Sequence, residues 1–275
     1  MAVKGYRHQR TSKPEAEATG PLIPVAWGTQ MIGDDGERVA DVGRRRLVVV
    51  DSHLGALATL TVILSSRFEV WSTSQLSTAF RWVFQAPADL IVLGGEHPDP
   101  NSLSFLRHVR ERASARPEVL VTSAEVEGWF ELPLGPLVDG VFRRPSQLLD
   151  LVERAHVLLR APSPIGPEAF RSRARRAIEY IAAHYSPVPG VRDIAQHIAI
   201  SESHLSHVFH RAVGITLKEY LTRVRIEIVK HLLVETDDSL DVIAEIVGLC
   251  DAGHLCRLFA RYVGETPGKF RRAAS

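Results

Sequence analysis

Cysteine is nearly absent from this chain of 275 residues, which holds only Cys250 and Cys256. Two thiols are too few to staple a small secreted domain, and no companion ligands at zinc spacing accompany them, so both read as packing residues. Long apolar runs are missing too. Residues 47–50 and 90–93 are among the longest, far short of the roughly 18 that span a bilayer, and no stretch of signal-peptide length follows Lys4, Arg7, Arg10 and Lys13. The expectation is a cytoplasmic protein with no membrane partner. A dominant charge is lacking: the net value is +1, and from Glu168 onward 15 Lys+Arg face 13 Asp+Glu. Charge alone therefore announces no polyanionic partner, although seven of the twelve histidines lie in that second stretch and add positive charge below neutral pH. Also missing are a nucleophile–base set, a metal cluster and a phosphate-cradling glycine loop, Gly94-Gly95 being too little on its own. The chain reads as a non-enzyme with no cofactor.

What is present is 45% hydrophobic residues, enough for a core, and a length that favours about two domains. Residues 1–43 mix Lys, Arg, Glu, Gly and Pro without periodicity and read as a flexible tail, interrupted by an apolar patch at 22–27 suited to docking. From 44 to 160 short apolar runs at 47–50, 68–71, 90–93, 119–122 and 140–142 read as strands, separated by amphipathic stretches such as 103–110 and 147–159. That alternation predicts an α/β unit with a five-stranded parallel sheet. Residues 161–167 hold three prolines and a glycine and read as a linker.

From 168 to 275 the pattern is helical throughout. Ala174, Ala177, Ile178 and Ile181 share one helix face; Ile194, Ala195 and Ile198 mark a short helix; Leu205, Val208, Phe209 and Ala212 mark another, capped by Ser201 and closed by Gly214. Thr216 with Glu219 reads as a capping box that opens a long helix. The short-helix, turn, helix unit then repeats, with Ile243, Ala244 and Gly248, then Asp251 as cap, Leu255, Phe259 and Gly264. Two such units joined by one long helix are the signature of paired DNA-reading modules.

Over about residues 174–272 the chain resembles the AraC/XylS family. The matching pieces run in order: Ile194-Ala195, Leu205, Phe209, Gly214, Tyr220-Leu221, Arg225, Ile243-Ala244, Gly248, Leu255, Arg257, Phe259, Gly264, Thr266-Pro267 and Phe270-Arg271. The resemblance implies an all-α tandem helix-turn-helix (HTH) domain that binds double-stranded DNA in transcription regulation, as an activator by family tendency, with RNA polymerase and a second copy of the chain as partners. It implies base contacts from Ser203, His204 and His207 in the first reading helix and from Ala252, Gly253, His254, Cys256 and Arg257 in the second. Ala252, Gly253 and Cys256 make few hydrogen bonds, so specificity should rest on the first unit, while Arg211, Arg261, Lys269, Arg271 and Arg272 hold phosphates.

The amino-terminal unit resembles the receiver domain of two-component systems, which implies a flavodoxin-like sheet. Its chemistry needs two acids for Mg²⁺, a phosphoacceptor aspartate and a lysine. Here Asp51 remains, Ser52 replaces the second acid, Gly94 stands at the phosphoacceptor position, Thr122 keeps the switch hydroxyl and Arg144 replaces the lysine. Glu96 and Asp99 read as solvated loop acids. The expectation is a pseudo-receiver that controls oligomerisation or partner contact without phosphorylation. The alternatives are a protein-interaction adaptor that no longer reads DNA specifically, and a ligand-sensing regulator acting as repressor.

Overall fold

The computed structural model describes residues 45–95, 99–113, 116–130, 137–162, 166 and 168–274. The tail expected at 1–43 with its apolar patch, Glu96, and most of the expected linker lie outside these residues.

Five parallel strands, β1 (Arg46–Val50), β2 (Glu69–Thr73), β3 (Leu90–Gly95), β4 (Glu118–Ser123) and β5 (Gly140–Arg143), form one sheet in the order β2-β1-β3-β4-β5. This is the flavodoxin-like order expected of a receiver. Strand residues alternate between two cores, because successive side chains leave a strand on opposite faces. Val48, Val50, Ile91, Leu93, Val119 and Val121 pack on one side under α2 (Leu76–Gln85) and α3 (Pro100–Arg112), with Trp129 of the short α4 (Glu127–Phe130). Leu47, Val49, Leu90, Val92 and Leu120 face the other way, toward α1 (Leu54–Leu64) and α5 (Leu148–Leu158).

Helix α1 differs from the other helices of the sheet. Its sequence LGALATLTVIL is apolar all the way round, and every residue from Gly55 to Leu64 is buried. A helix without a polar face must be covered on both sides. The second cover is the helical half of the chain: α6 (Glu168–Ala183), α7 (Val191–His197), α8 (Glu202–Val213), α9 (Leu217–Glu235), α10 (Leu240–Val247), α11 (Ala252–Val263) and α12 (Pro267–Ala274). Helices α6 and α9 lie directly on α1, and the apolar core runs without a break from Leu57 and Leu60 to Ile178, Tyr220 and Val224. The Tyr220 hydroxyl faces Thr59 across this junction, and burial pushes its phenol well above the usual range. Around the rim, Arg175 pairs bidentately with Asp150 at 2.7 and 2.6 Å, Arg171 reaches Glu153 at 2.7 Å, and Ser74 donates to the Glu235 carboxylate.

The two helix-turn-helix units share one local design. Ser201 accepts from His204 N at 3.2 Å and Asp251 accepts from His254 N at 2.6 Å, each opening a reading helix. Gly214 and Gly264 then stop α8 and α11 in the left-handed region, at φ 83° and 86°. Thr216 caps α9 as expected, accepting from Glu219 N at 3.2 Å. The reciprocal half of the expected capping box is replaced by other partners: the Glu219 carboxylate accepts from Arg223 Nε at 2.9 Å and from the Tyr262 hydroxyl at 2.6 Å, tying the start of α9 to the end of α11. Burial and that carboxylate push the Tyr262 phenol up to about 12.

Gly55 is what lets α1 approach α6 so closely. A Cβ built there would sit 2.1 Å from the Ala182 carbonyl oxygen and 2.7 Å from the Tyr185 ring, and backbone cannot yield as a side-chain tip can. Gly55→Ala is therefore expected to lower the unfolding free energy by about 1–3 kcal/mol, read by urea denaturation of the full chain. An unchanged midpoint would mean that the helices separate without cost.

Candidate nucleic-acid interface

The outward faces of α8 and α11 carry the side chains that sequence matching assigned to DNA. On α8, Leu205, Val208, Phe209 and Ala212 point into the core, which leaves Ser203, His204, His207 and Arg211 exposed. His207 and Arg211 share a support that sequence spacing did not reveal: the Phe170 ring of α6 lies edge-on to the His207 imidazole at 6.1 Å and under the Arg211 guanidinium at 5.7 Å. On α11, Leu255 and Phe259 are buried; Gly253, Arg257 and Arg261 are exposed, and Ala252, His254 and Cys256 are half-buried. A Cβ at Gly253 would lie 3.0 Å from the Asp251 carboxylate and 3.5 Å from Arg257 Nη1, so the guanidinium folds back over the helix start.

Beyond α11 the assigned cations divide. Lys269 is exposed, with Glu265 at 3.4 Å, and Arg272 is exposed. Arg271 does not join them. Its Nε donates to the Leu233 carbonyl at 3.2 Å and its Nη2 to the Asp238 carbonyl at 2.7 Å, fastening α12 to the end of α9. A guanidinium engaged with two backbone oxygens has lost donors that a phosphate would need. Arg271 is therefore a clamp between α12 and α9 rather than the phosphate contact expected from the sequence.

The spacing of the two units is held by Arg225. Its Nε donates to the Val247 carbonyl at 3.0 Å and its Nη2 to the Val188 carbonyl at 3.1 Å, so one side chain of α9 grips the end of α10 and the loop before α7. At the same place Gly248, at φ 73°, approaches Pro187, where an added Cβ would lie at 3.2 Å. The corresponding turn of the first unit places Ala199 at φ 58°, a left-handed conformation that costs a residue with a Cβ about 1–2 kcal/mol.

In the sheet half, the residues matched to the receiver pocket converge at the strand ends with one exception. Asp51 is fully buried; Gly94 pairs with Thr122 in register; Arg144 follows β5 and forms an ion pair with Asp51. Ser52 is exposed and stands outside the group. Two substitutions fit together here. A Cβ at Gly94 would lie 2.1 Å from the Asp51 carboxylate, so Asp51 occupies the space of the missing side chain. Burial pushes the Asp51 carboxyl up, and Arg144 with the His53 backbone amide draws it back down. Asp99 is not a free loop acid: it caps α3, accepting from Asn101 N at 2.8 Å and Ser102 N at 3.1 Å.

Residues 194–273 match the family model described as "Helix-turn-helix domain". The Melibiose operon regulatory protein of Escherichia coli (strain K12) is 31% identical over 93 residues, 34% of this chain and 31% of that protein. The Arabinose operon regulatory protein of the same strain is 30% identical over 132 residues, 46% of this chain and 45% of that protein. The chain thus spans about a third to a half of the length of these curated relatives. Among solved structures, the C-terminal domain of AraT, a response regulator from Geobacillus stearothermophilus, is 29% identical, covers 36% of this chain and 84% of that chain, and has a TM-score of 0.35, too partial a likeness to carry an argument. The carboxy-terminal part is a tandem helix-turn-helix fold. More specifically, it is similar to the helix-turn-helix domain of that model and to parts of two sugar-operon regulatory proteins. No described helix is long and apolar enough to cross a membrane.

Two outcomes are expected at the strand-end pocket. Incubating the full chain with acetyl phosphate and Mg²⁺ should give no hydroxylamine-sensitive acyl phosphate by intact-mass measurement, because Gly94 offers no carboxylate. Arg144→Met should lower the unfolding free energy by about 3–5 kcal/mol by stranding the buried Asp51 charge, and adding Asp51→Asn should restore part of that loss. A single variant as stable as the parent would show that the pair carries no such penalty.

Proposed function

We propose that the protein is a sequence-specific DNA-binding transcription regulator in which residues 168–275 read DNA and residues 44–160 act as a phosphorylation-independent receiver-like unit, with 161–167 between them. The observation that carries this is the arrangement of α8 and α11. Each is opened by a side-chain cap and stopped by a left-handed glycine, each turns polar side chains outward, and Arg225 fixes the separation of their units. Rigid separation suits two readings of one duplex face, since groove access recurs about every 10 to 10.5 base pairs.

Ser203, His204 and His207 supply donors and acceptors for base edges, whereas Ala252, Gly253 and Cys256 supply few, so the first unit sets sequence preference. Arg211, Arg261, Lys269 and Arg272 hold the backbone, which carries no sequence information. Activation through RNA polymerase, and pairing of two copies on adjacent sites, complete the proposal, in line with the regulatory names of the relatives.

Binding-site selection on the parent and on His207→Ala tests this. The variant should relax base preference in the first half of the footprint at a cost of about 1–3 kcal/mol per lost contact, with the second half unchanged. Lys269→Ala and Arg272→Ala should weaken all sequences nearly alike and each reduce the slope of log K against log salt by about 1. Strict preference confined to the second half would assign specificity to α11 instead, and the absence of any salt-dependent shift on genomic fragments would leave the adaptor reading.

A further inference from the structure

The segment before α6, the first turn of α6 and the end of the first reading helix meet at one point. Gly166 donates its backbone N–H to the Ala212 carbonyl at 2.7 Å, satisfying one of the carbonyls that the end of α8 leaves without an intrahelical partner. The approach is tight: a Cβ at Gly166 would lie 2.3 Å from the Arg211 carbonyl oxygen. The Gly166 carbonyl in turn accepts from Arg171 Nε at 2.9 Å, and the same guanidinium reaches Glu153 of α5 through Nη1 at 2.7 Å. The first turn of α6 is therefore tied to the last turn of α8 and to the sheet half at once.

Phe170 belongs to that turn. Its ring stands at 81° to the His207 imidazole with 6.1 Å between centroids, and the Arg211 guanidinium lies over it at 5.7 Å. Both distances fall within the range in which an aromatic edge or a cation is attracted to a ring. His207 and Arg211 are four residues apart on α8, hence on one face, which is how a single ring serves both. Among the described residues no hydrogen bond or ion pair holds either side chain. An imidazole and a guanidinium on an open helix face sample several rotamers, and ordering them on binding costs affinity; a side chain already held in place costs less.

We propose that Phe170 is a positioning residue for base reading: its ring presets the His207 and Arg211 side chains of α8, and with them the sequence preference of the first unit, without itself meeting a base. The proposal rests on the reading of α8 as a DNA-contacting helix. It adds a determinant that lies outside both helix-turn-helix units and outside the 194–273 segment matched by the family model.

Binding-site selection with the full chain, followed by mobility-shift titration, tests this. The readout is the ratio of affinities for the selected site and for the same site with its first half scrambled. Phe170→Leu keeps apolar bulk without a ring and should lower that ratio about three- to tenfold, with preference in the second half unchanged. Phe170→Tyr keeps the ring and should retain the parent ratio. In a His207→Ala background Phe170→Leu should lower the ratio by less than about twofold further, because a residue that acts through another has nothing left to position. Should Phe170→Leu fail to fold, Phe170→Met takes its place. An unchanged ratio for Phe170→Leu, an equal loss in both halves, a Tyr variant no better than Leu, or additive losses in the double variant would each overturn the proposal and reduce Phe170 to packing. A parent chain that selects no sequence defeats the regulatory reading itself, whereas a selective parent whose Phe170 variants keep their first-half preference defeats the role of this residue alone.

Discussion

The burial of α1 on both sides is the constraint from which the rest of the arrangement follows. A helix with no polar face cannot stand at the surface of an α/β unit without exposing a broad apolar patch, and covering it on the sheet side alone leaves half of it wet. Helices α6 and α9 provide the missing cover, so the helical half is held against the sheet by the same residues that make the sheet's own core. The Arg175–Asp150 and Arg171–Glu153 pairs at the rim are part-exposed and add direction more than energy. The close passage at Gly55 fixes how near the helices come.

Given that platform, α9 becomes the member to which everything else is referred. One of its faces lies on α1, Arg225 holds the two helix-turn-helix units, Glu219 anchors the end of α11, and its last turn receives both Arg271 and Ser74. The polar residues buried along it, Glu227, Lys230 and His231, sit where it crosses the edge of the sheet. Helix α8 is seated mainly on α6, and α11 on α10 and α9, which leaves the polar face of each toward solvent.

Much of the fold was legible in the sequence because it depends on local chemistry. The five apolar runs became strands within a residue or two, and Ser201, Asp251, Gly214 and Gly264 marked helix ends by the caps and left-handed turns they favour. The all-round apolar stretch of α1 lacks the amphipathic period by which the other helices were read, and which element would cover it depended on contacts distant in the chain. The same limit hid Phe170 beneath His207 and the clamp made by Arg271, since each is defined by a partner that no sequence periodicity places. Gly94 and Arg144 were visible as departures from the receiver pattern. That Asp51 fills the gap left by the first and is neutralised by the second appears only when the strands are side by side.

That internal pair bears on time as well as charge. A phosphorylated aspartate keeps a record of a signal for as long as its acyl bond survives, independently of whatever delivered it. A pocket already neutralised by its own arginine has no bond in which to keep such a record. Under the proposed phosphorylation-independent function, input to this half of the molecule is held by occupancy, graded by concentration and erased when the bound partner leaves, so the memory of the system is a residence time.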